Sequence, residues 1–524
     1  MTTHAVVPLR APLTPERESF WHLVHAEWTK FRTVRGWVIA VLVTIVAITA
    51  FVFVSTDVSS GCNAVQGASS AATAVACPAQ PTGPGGDPVQ DVFYFAHQPV
   101  TGNGTITVQM TSLTGQTPVT PGGVLDGPPQ GPGLQPWSKA GIIIKENTSQ
   151  GSAYAAMMVT GSNGVRMQWD YVNDTPGVAG RVSASSPRWL RLVRDGGTIT
   201  GYDSADGTHW TLIGTAALPR LASTVQAGLF AAGSSDDSDL GTLATGVFRH
   251  IGLSWPATGW TGTSVGGAGP NSGVPVPGTL RQGAGSTTVA GFGDIGPAAG
   301  NMYSGNGQSL QRTLAGTSSG LIPLIVVAAM FITAEYRRGL IRVSLTAAPR
   351  RGRLLAAKAV VIGAAGFVAG LVGAALALAV GTPLLLRSGP LQWPVSLLTE
   401  ARMVVGTAAL LAVAAVLALA IGTIVRRSAP AVAIVIAVIF VPWLLAFGPL
   451  AGQGGGAGGW ELQVTPLAAL SVQQAVPQFH QLITIYSLDN GYYPLAPWAG
   501  LAVECAWAAA ALALAFFLLR RRDA

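Results

Sequence analysis

The sequence predicts an α-helical polytopic membrane protein with six transmembrane helices and an all-β antiparallel sandwich inserted between helices 1 and 2. Three observations lead there. The 524 residues are 49% hydrophobic and only 10% charged, against a usual charged share of about 25%. Apolar runs recur at the length of about 20 residues that a hydrocarbon core of roughly 30 Å requires. Lys and Arg gather in alternate segments between those runs, as they do in short cytoplasmic loops.

Residues 1–35 come first and carry Arg10, Arg17, Lys30, Arg32 and Arg35. From residue 18 onward Trp21, Leu23, Trp28 and Phe31 alternate with Glu27, Lys30, Arg32 and Arg35. That mixture predicts a helix lying at the inner interface with its aromatics among the headgroups, Trp28, Lys30, Arg32 and Arg35 being its characteristic residues. The plainer reading is a positive-inside anchor. The charged stretch is too long, and the apolar run after it too complete, for a cleaved signal peptide.

The predicted spans are 36–54, 317–333, 355–386, 403–425, 429–450 and 497–519. Arg337, Arg338, Arg342, Arg350, Arg351 and Arg353 lie between the second and third, with Lys358 just inside the third. Arg426 and Arg427 lie between the fourth and fifth, and Arg520, Arg521 and Arg522 follow the sixth. The opposite loops hold only Arg387 and Arg402, and none occurs between Leu450 and Pro497. Both termini and the loop 335–354 are therefore expected in the cytoplasm. Residues 55–316 hold eleven Lys/Arg against fourteen Asp/Glu, so the formal charge of +7 sits at membrane edges. A nucleic-acid partner is excluded on that ground, since no soluble face carries the basic charge.

The insertion divides into a linker at 55–90, a β-sandwich at 91–255 and a Gly/Ser/Pro linker at 256–316, beyond which 317–524 holds the remaining spans. Strict alternation in Val165-Arg166-Met167-Gln168-Trp169-Asp170-Tyr171 marks a half-buried strand. Asn163-Gly164, Asp195-Gly196 and Asp206-Gly207 separate neighbouring strand patterns, as hairpin turns do. Cys62 and Cys77 stand just beyond the first span. A disulfide between them would close a loop of about 15 residues and contribute about 3 kcal/mol. The alternative is two idle thiols in an Ala/Gly/Ser tether.

Lys139-Ala140-Gly141-Ile142-Ile143-Ile144-Lys145-Glu146, then 153–160, then Trp189-Leu190-Arg191-Leu192-Val193-Arg194, then 201–207 with Trp210, resemble a laminin-G or concanavalin-like jelly roll over roughly 90–255. Trp137, Trp169, Trp189, Trp210, Tyr154 and Tyr202 are weighed as sugar-stacking platforms against the plainer role of filling the core or bracing its edges. Asp236, Asp237 and Asp239 are weighed as a calcium site against a solvated acidic turn, and the turn is preferred, so no metal is assigned. Glycoside hydrolysis needs two facing carboxylates. Glu146 is the single Glu of the insertion, and no catalytic residue is assigned.

The membrane part resembles the permease subunit of type-2 ABC exporters, in the form common in high-GC Gram-positive bacteria. The resemblance rests on His25-Ala26-Glu27-Trp28-Thr29-Lys30-Phe31-Arg32 leading into a span, and on Glu335-Tyr336-Arg337-Arg338-Gly339-Leu340-Ile341-Arg342 followed by Pro349-Arg350-Arg351. It rests also on Thr465-Pro466-Leu467-Ala468-Ala469 with Gln473-Gln474, and on Tyr493-Pro494-Leu495-Ala496-Pro497-Trp498. The large outer domain departs from relatives that have a short loop there. The resemblance implies that Glu335, Arg337, Arg338 and Arg342 couple to an ATPase docked on 335–354, while 451–496 forms re-entrant helices near the outer leaflet. It implies a second permease copy, whether a homodimer or a paired permease, in a bacterial cell membrane. For the arginines, the plainer role is topology alone.

No ATPase lies in the sequence. A phosphate-binding loop needs Gly-Lys-Ser/Thr, and none of Lys30, Lys139, Lys145 and Lys358 follows Gly. ATP-Mg would therefore be bound by a separate ATPase chain, with no cofactor here and no enzymatic activity. Glu504, about 10 Å into the last span, is a candidate for the transport pathway because intramembrane carboxyls are costly; reaching the outer headgroups is the alternative. The competing function is a multi-span membrane-anchored surface protein that binds glycan or cell wall, or senses it.

Overall fold

The computed structural model describes residues 19–57, 81–116, 133–234, 242–266, 278–298, 309–337, 350–387, 392–447, 460–481, 493 and 495–521. Helix α1 (Phe20–Thr33) is separated from α2 (Arg35–Asp57) by Val34, whose extended backbone at φ −87° and ψ 99° breaks the helix. The later helices are α3 (Thr317–Arg337), α4 (Arg351–Arg387), α5 (Leu397–Val425), α6 (Ser428–Phe447), the short α7 (Trp460–Val464) and α8 (Pro497–Arg521). Arg426 caps α5 in the left-handed conformation at φ 60°, its N–H donating to Gly422 O, so the turn into α6 needs only two residues.

Among the described residues, five helical stretches are long and apolar enough to cross a membrane: Arg35–Val54, Leu310–Arg337, Arg351–Arg387, Leu397–Val425 and Pro497–Arg521. The sixth span, expected at 429–450, falls on α6, whose described apolar stretch Ser428–Pro442 is shorter than the others. At 1.5 Å per residue the 37 residues of α4 run about 55 Å, well beyond a bilayer core. Ile39, Leu42 and Val46 on α2 are exposed, as are Leu514 and Phe517 on α8; in water such faces would be a liability, whereas lipid accepts them.

Small residues set the helix spacing. A Cβ on Gly370 would come within 2.7 Å of Ala408 Cα, and one on Gly366 within 2.9 Å of Leu411 O. These glycines therefore seat α4 against α5 inside one chain. The 3-10 helix Pro466–Gln473 is wholly buried, wedged between α5 and α8.

Among the described residues sixteen strands lie in sequence between α2 and α3: β1 (Val89–Asp91), β2 (Phe93–Thr101), β3 (Gly104–Gln116), β4 (Lys139–Lys145), β5 (Tyr154–Thr160), β6 (Val165–Trp169), β7 (Asn173–Pro176), β8 (Arg188–Asp195), β9 (Thr198–Ser204), β10 (Thr211–Ala217), β11 (Thr224–Ala232), β12 (Leu243–Leu253), β13 (Thr261–Val265), β14 (Gly278–Gly283), β15 (Ser286–Gly291) and β16 (Ile295–Pro297). They form two seven-stranded antiparallel sheets, β10-β9-β8-β3-β12-β15-β14 and β13-β2-β11-β4-β5-β6-β7, and a ribbon of β1 with β16. Ile106, Val108, Leu190 and Leu192 from one sheet meet Ile142, Ile144, Met157 and Leu229 from the other in a shared core. Gly164 and Gly196 take positive φ at the β5–β6 and β8–β9 turns, the conformation that Asn-Gly and Asp-Gly pairs favour.

Two differences from the expected boundaries stand out. The stretch 256–316 was expected to be a linker, but it contains β13, β14, β15 and β16 and the start of the helical bundle. Its Gly- and Thr-rich strands are stabilised by pairing with β2 and β12 rather than by their own apolar content. Alternation alone, as at 104–111 and 246–253, predicts shorter strands than form: β3 continues to Gln116 and β12 begins at Leu243, where they pair with each other.

A second apolar layer lies on the outer side of the β4-containing sheet, where Phe93, Phe95, Ile143, Tyr154, Met158 and Phe230 are buried beneath Val89 and Ile295 of the ribbon. Two fully buried lysines of β4 fix that ribbon. Lys139 Nζ pairs with Asp294 at 2.6 Å and donates to Ile295 O at 2.8 Å. Lys145 Nζ donates to Asp91 Oδ2 and Tyr171 Oη, both at 2.8 Å. Burial holds the Lys145 ammonium below its ordinary pKa, opposed by the Asp91 charge.

A buried charge cluster and its surroundings

Four charged side chains from three helices meet where α3 ends and α4 begins. Glu27 and Lys30, three residues apart, share one face of α1 and pair at 2.8 Å. Lys358 Nζ, two turns into α4, donates to Glu27 Oε2 at 2.6 Å and to Glu335 Oε1 at 2.7 Å. Lys30 Nζ donates to the same Glu335 oxygen at 2.7 Å. The result is an alternating set of two carboxylates and two ammonium groups with no net charge.

The setting is dry on one side. The Lys358 side chain is 0% exposed and that of Lys30 is 40% exposed, so the cluster opens toward solvent through Lys30. Phe331 stands under Lys358, with Nζ 4.6 Å from its ring centroid. Phe31 and Trp37 both pack edge-on against Phe331. Burial would lower the Lys30 pKa, but the hydrogen bonds it donates to Glu27 and Glu335, and the charges of those carboxylates, outweigh it and raise the pKa above its ordinary value. Such a cluster joins α1, α3 and α4 by charge-assisted bonds that tolerate little displacement.

The cluster holds two of the predicted site residues, Glu335 and Lys30. Arg337 ends α3 and is exposed, as are Trp28, Arg32 and Arg35. Arg338 and Arg342 lie outside the described residues, as do Cys62 and Cys77. Glu504 is buried in α8, and its Oε2 has no hydrogen-bond partner. Sequence reasoning left Glu27 and Lys358 out of the site. Lys358 carried a signal: one of only four lysines in the chain, it stands inside an apolar run where a charge needs a partner.

Toward the opposite end of the helices neutral side chains link the elements. Gln473 Nε2 donates to Thr317 Oγ1 at 2.8 Å and Thr407 Oγ1 at 3.0 Å, linking the 3-10 helix to α3 and α5. There the sandwich touches the bundle. Gln481 Nε2 donates to Tyr171 O at 3.0 Å, and Trp393 Nε1 donates to Ala298 O at 2.6 Å. Val172 and Phe479 pack around Trp393.

Of the aromatics weighed for sugar stacking, Tyr154 and Trp137 are buried. Trp189 stacks on His250, and Arg191 covers Trp210 at 3.7 Å. Asp236, Asp237 and Asp239 lie outside the described residues, and among the described residues no cluster suited to a metal ion occurs.

A family model described as ABC-2 family transporter protein matches residues 21–524. No curated protein matches the chain. Solved structures similar to part of it include a functionally unknown protein from Saccharomyces cerevisiae, at 16% identity over 34% of this chain and 83% of that one, with a TM-score of 0.21. A scytalido-glutamic peptidase with a transition-state analogue inhibitor aligns at 6% identity over 38% of this chain and 98% of that one, TM-score 0.24. A lectin from Bauhinia forficata in complex with GalNAc aligns at 13% identity over 35% and 86%, TM-score 0.19.

Proposed function

The chain belongs to the ABC-2 family of transporter proteins, and from that premise we propose that it is the permease subunit of an ATP-driven exporter, energised by an ATPase on a separate chain that docks on 335–354. A membrane permease of an ABC transporter needs no catalytic residues of its own, and ATP-Mg belongs to the partner. In this reading α6 completes six spans, both termini face the cytoplasm of a bacterial cell, and a second permease copy completes the pathway. The laminin-G or concanavalin-like domain stands outside, and the two antiparallel sheets support that assignment.

The observation that carries the coupling proposal is the Glu27–Lys30–Glu335–Lys358 cluster. It sits at both ends of the 335–354 loop, where α3 finishes and α4 starts, and it binds both to the interfacial α1. A load placed on the loop or on α1 by a docked partner is then transmitted to two spanning helices together. Glu335 acts in this proposal as the internal anchor of the loop, while Arg337, Arg338 and Arg342 face the partner.

The test is affinity capture of the full-length chain co-expressed with the ATPase encoded beside it. The expected result is a retained ATPase whose ATP turnover responds to the permease, and loss of retention in an Arg337→Glu, Arg338→Glu, Arg342→Glu variant. No retained ATPase from any neighbouring gene would refute the proposal and favour the surface glycan-binding or sensing alternative.

A further inference from the structure

A cavity of about 600 Å³ opens between the first turn of α4 and the last turns of α8, lined by Arg350, Arg351, Gly352, Arg353, Phe516 and Arg520. Four of the six lining residues are arginines, and no carboxylate is among them. The walls are fixed. Arg351 Nη1 donates to Leu519 O at 2.7 Å, clamping the two helices together. A Cβ on Gly352 would fall 2.3 Å from Phe516 Cε2, so only glycine lets the ring lie this close to the α4 backbone. Arg520 lies over Phe516 at 4.1 Å and Arg521 over Phe517 at 4.3 Å.

Such a concentration of positive charge in one preformed cleft calls for an anion with several acceptor oxygens. The surroundings say what kind. Along α8, Trp507, Leu514 and Phe517 are exposed, and their spacing puts them on one helix face that runs down to Arg521. An apolar stripe that ends at Arg521, next to Arg520 of the cleft wall, fits an amphiphile with an anionic head and a hydrocarbon tail. A soluble anion would use the arginines but not the stripe.

We propose that this cleft binds the phosphate of a net-anionic phospholipid, with an acyl chain lying along the exposed face of α8. Arg350 and Arg353, both exposed at the cavity wall, supply much of the charge. A lipid held there bridges the starting turn of α4 to the end of α8.

Native mass spectrometry of the full-length chain in detergent tests this, with phosphatidylglycerol, phosphatidylcholine and inorganic phosphate as probes. Phosphatidylglycerol should be retained over phosphatidylcholine. Its affinity should fall about thirtyfold in an Arg350→Gln, Arg353→Gln variant, at roughly fivefold per juxtamembrane arginine. An Arg350→Lys, Arg353→Lys variant should keep most of it, which separates charge loss from misfolding. Three outcomes overturn the proposal: equal retention of the two lipids, displacement of the lipid by inorganic phosphate at equal concentration, or unchanged lipid affinity in the glutamine variant. Loss of ATPase capture with lipid affinity unchanged would mark the cleft as a protein-docking surface instead.

Discussion

Replacing Lys358 by Met deletes an ammonium group that is fully buried and that donates to two carboxylates, Glu27 at 2.6 Å and Glu335 at 2.7 Å. Methionine keeps most of the stem and its contact with Phe331, so the change is chiefly one of charge. Glu27 and Glu335, both nearly buried, are then left to share Lys30. Breaking a buried ion pair by removing one partner costs about 3–5 kcal/mol. The bonds from Lys30 offset part of that, so about 3 kcal/mol is expected, or roughly a hundredfold in the folded-to-unfolded ratio. The combination Glu27→Gln, Glu335→Gln, Lys358→Met, charge-free but for the part-exposed Lys30, removes every buried charge of the cluster and should lie within about 1 kcal/mol of the parent. Equilibrium denaturation of the full-length chain in mixed micelles measures all three. A single variant within about 1 kcal/mol of the parent, or a charge-free variant as unstable as the single one, would refute the reasoning. The charge-free variant should also lose ATP-driven transport while remaining folded, because neutral side chains hold α1, α3 and α4 less firmly.

In a background with Cys62, Cys77 and Cys505 replaced by Ser, a membrane-impermeant thiol reagent should label Thr208→Cys in intact cells but not Arg350→Cys. A fragment spanning residues 81–298 should fold alone with a β-type circular dichroism spectrum, whereas 88–256 should not, because it omits β13 to β16. In that fragment Lys145→Met should lower stability by about 3 kcal/mol, read as a shift of the urea midpoint, since it strands the fully buried Asp91 carboxylate. Burial lowers the His97 pKa below its ordinary value, against the pull of its hydrogen bond with Gln226. The neutral ring is therefore favoured in the folded state; its contribution is complete above the unfolded value of about 6.5 and is lost as pH falls through the folded value. The domain's urea midpoint should drop below pH 6 in the parent and drop less in His97→Gln.

The helices were legible because two signals coincide: a spanning run of apolar residues and a cluster of Lys and Arg beside one of its ends. The strands from Phe93 to Leu253 were legible through alternation, as in 165–171. Thr279-Leu280-Arg281 and Thr287-Thr288-Val289 were not, because their composition matches a flexible linker; the second pairs with β12 some forty residues earlier in the chain, and the first is held by its hairpin with the second. The charge cluster was half legible. Glu335 and Lys30 stood out through their motifs, but Lys358 needs partners 331 and 23 residues away, and no local pattern reveals which carboxylates meet a buried ammonium. The arginine cleft was hidden for the same reason: residues 350–353 and 516–520 are neighbours only once α4 and α8 have packed.

The β1–β16 ribbon bears on how such a molecule can arise. Val89 lies opposite Pro297 and Asp91 opposite Ile295, so the sandwich begins and finishes within one strand-pair spacing, about 5 Å. A module whose two ends adjoin can be spliced into a connection between two helices without rethreading them. The sandwich is thus a cassette: recombination could swap or delete it as a unit, leaving α2 and α3 to be rejoined, while the charge cluster at the other end of those helices keeps its geometry.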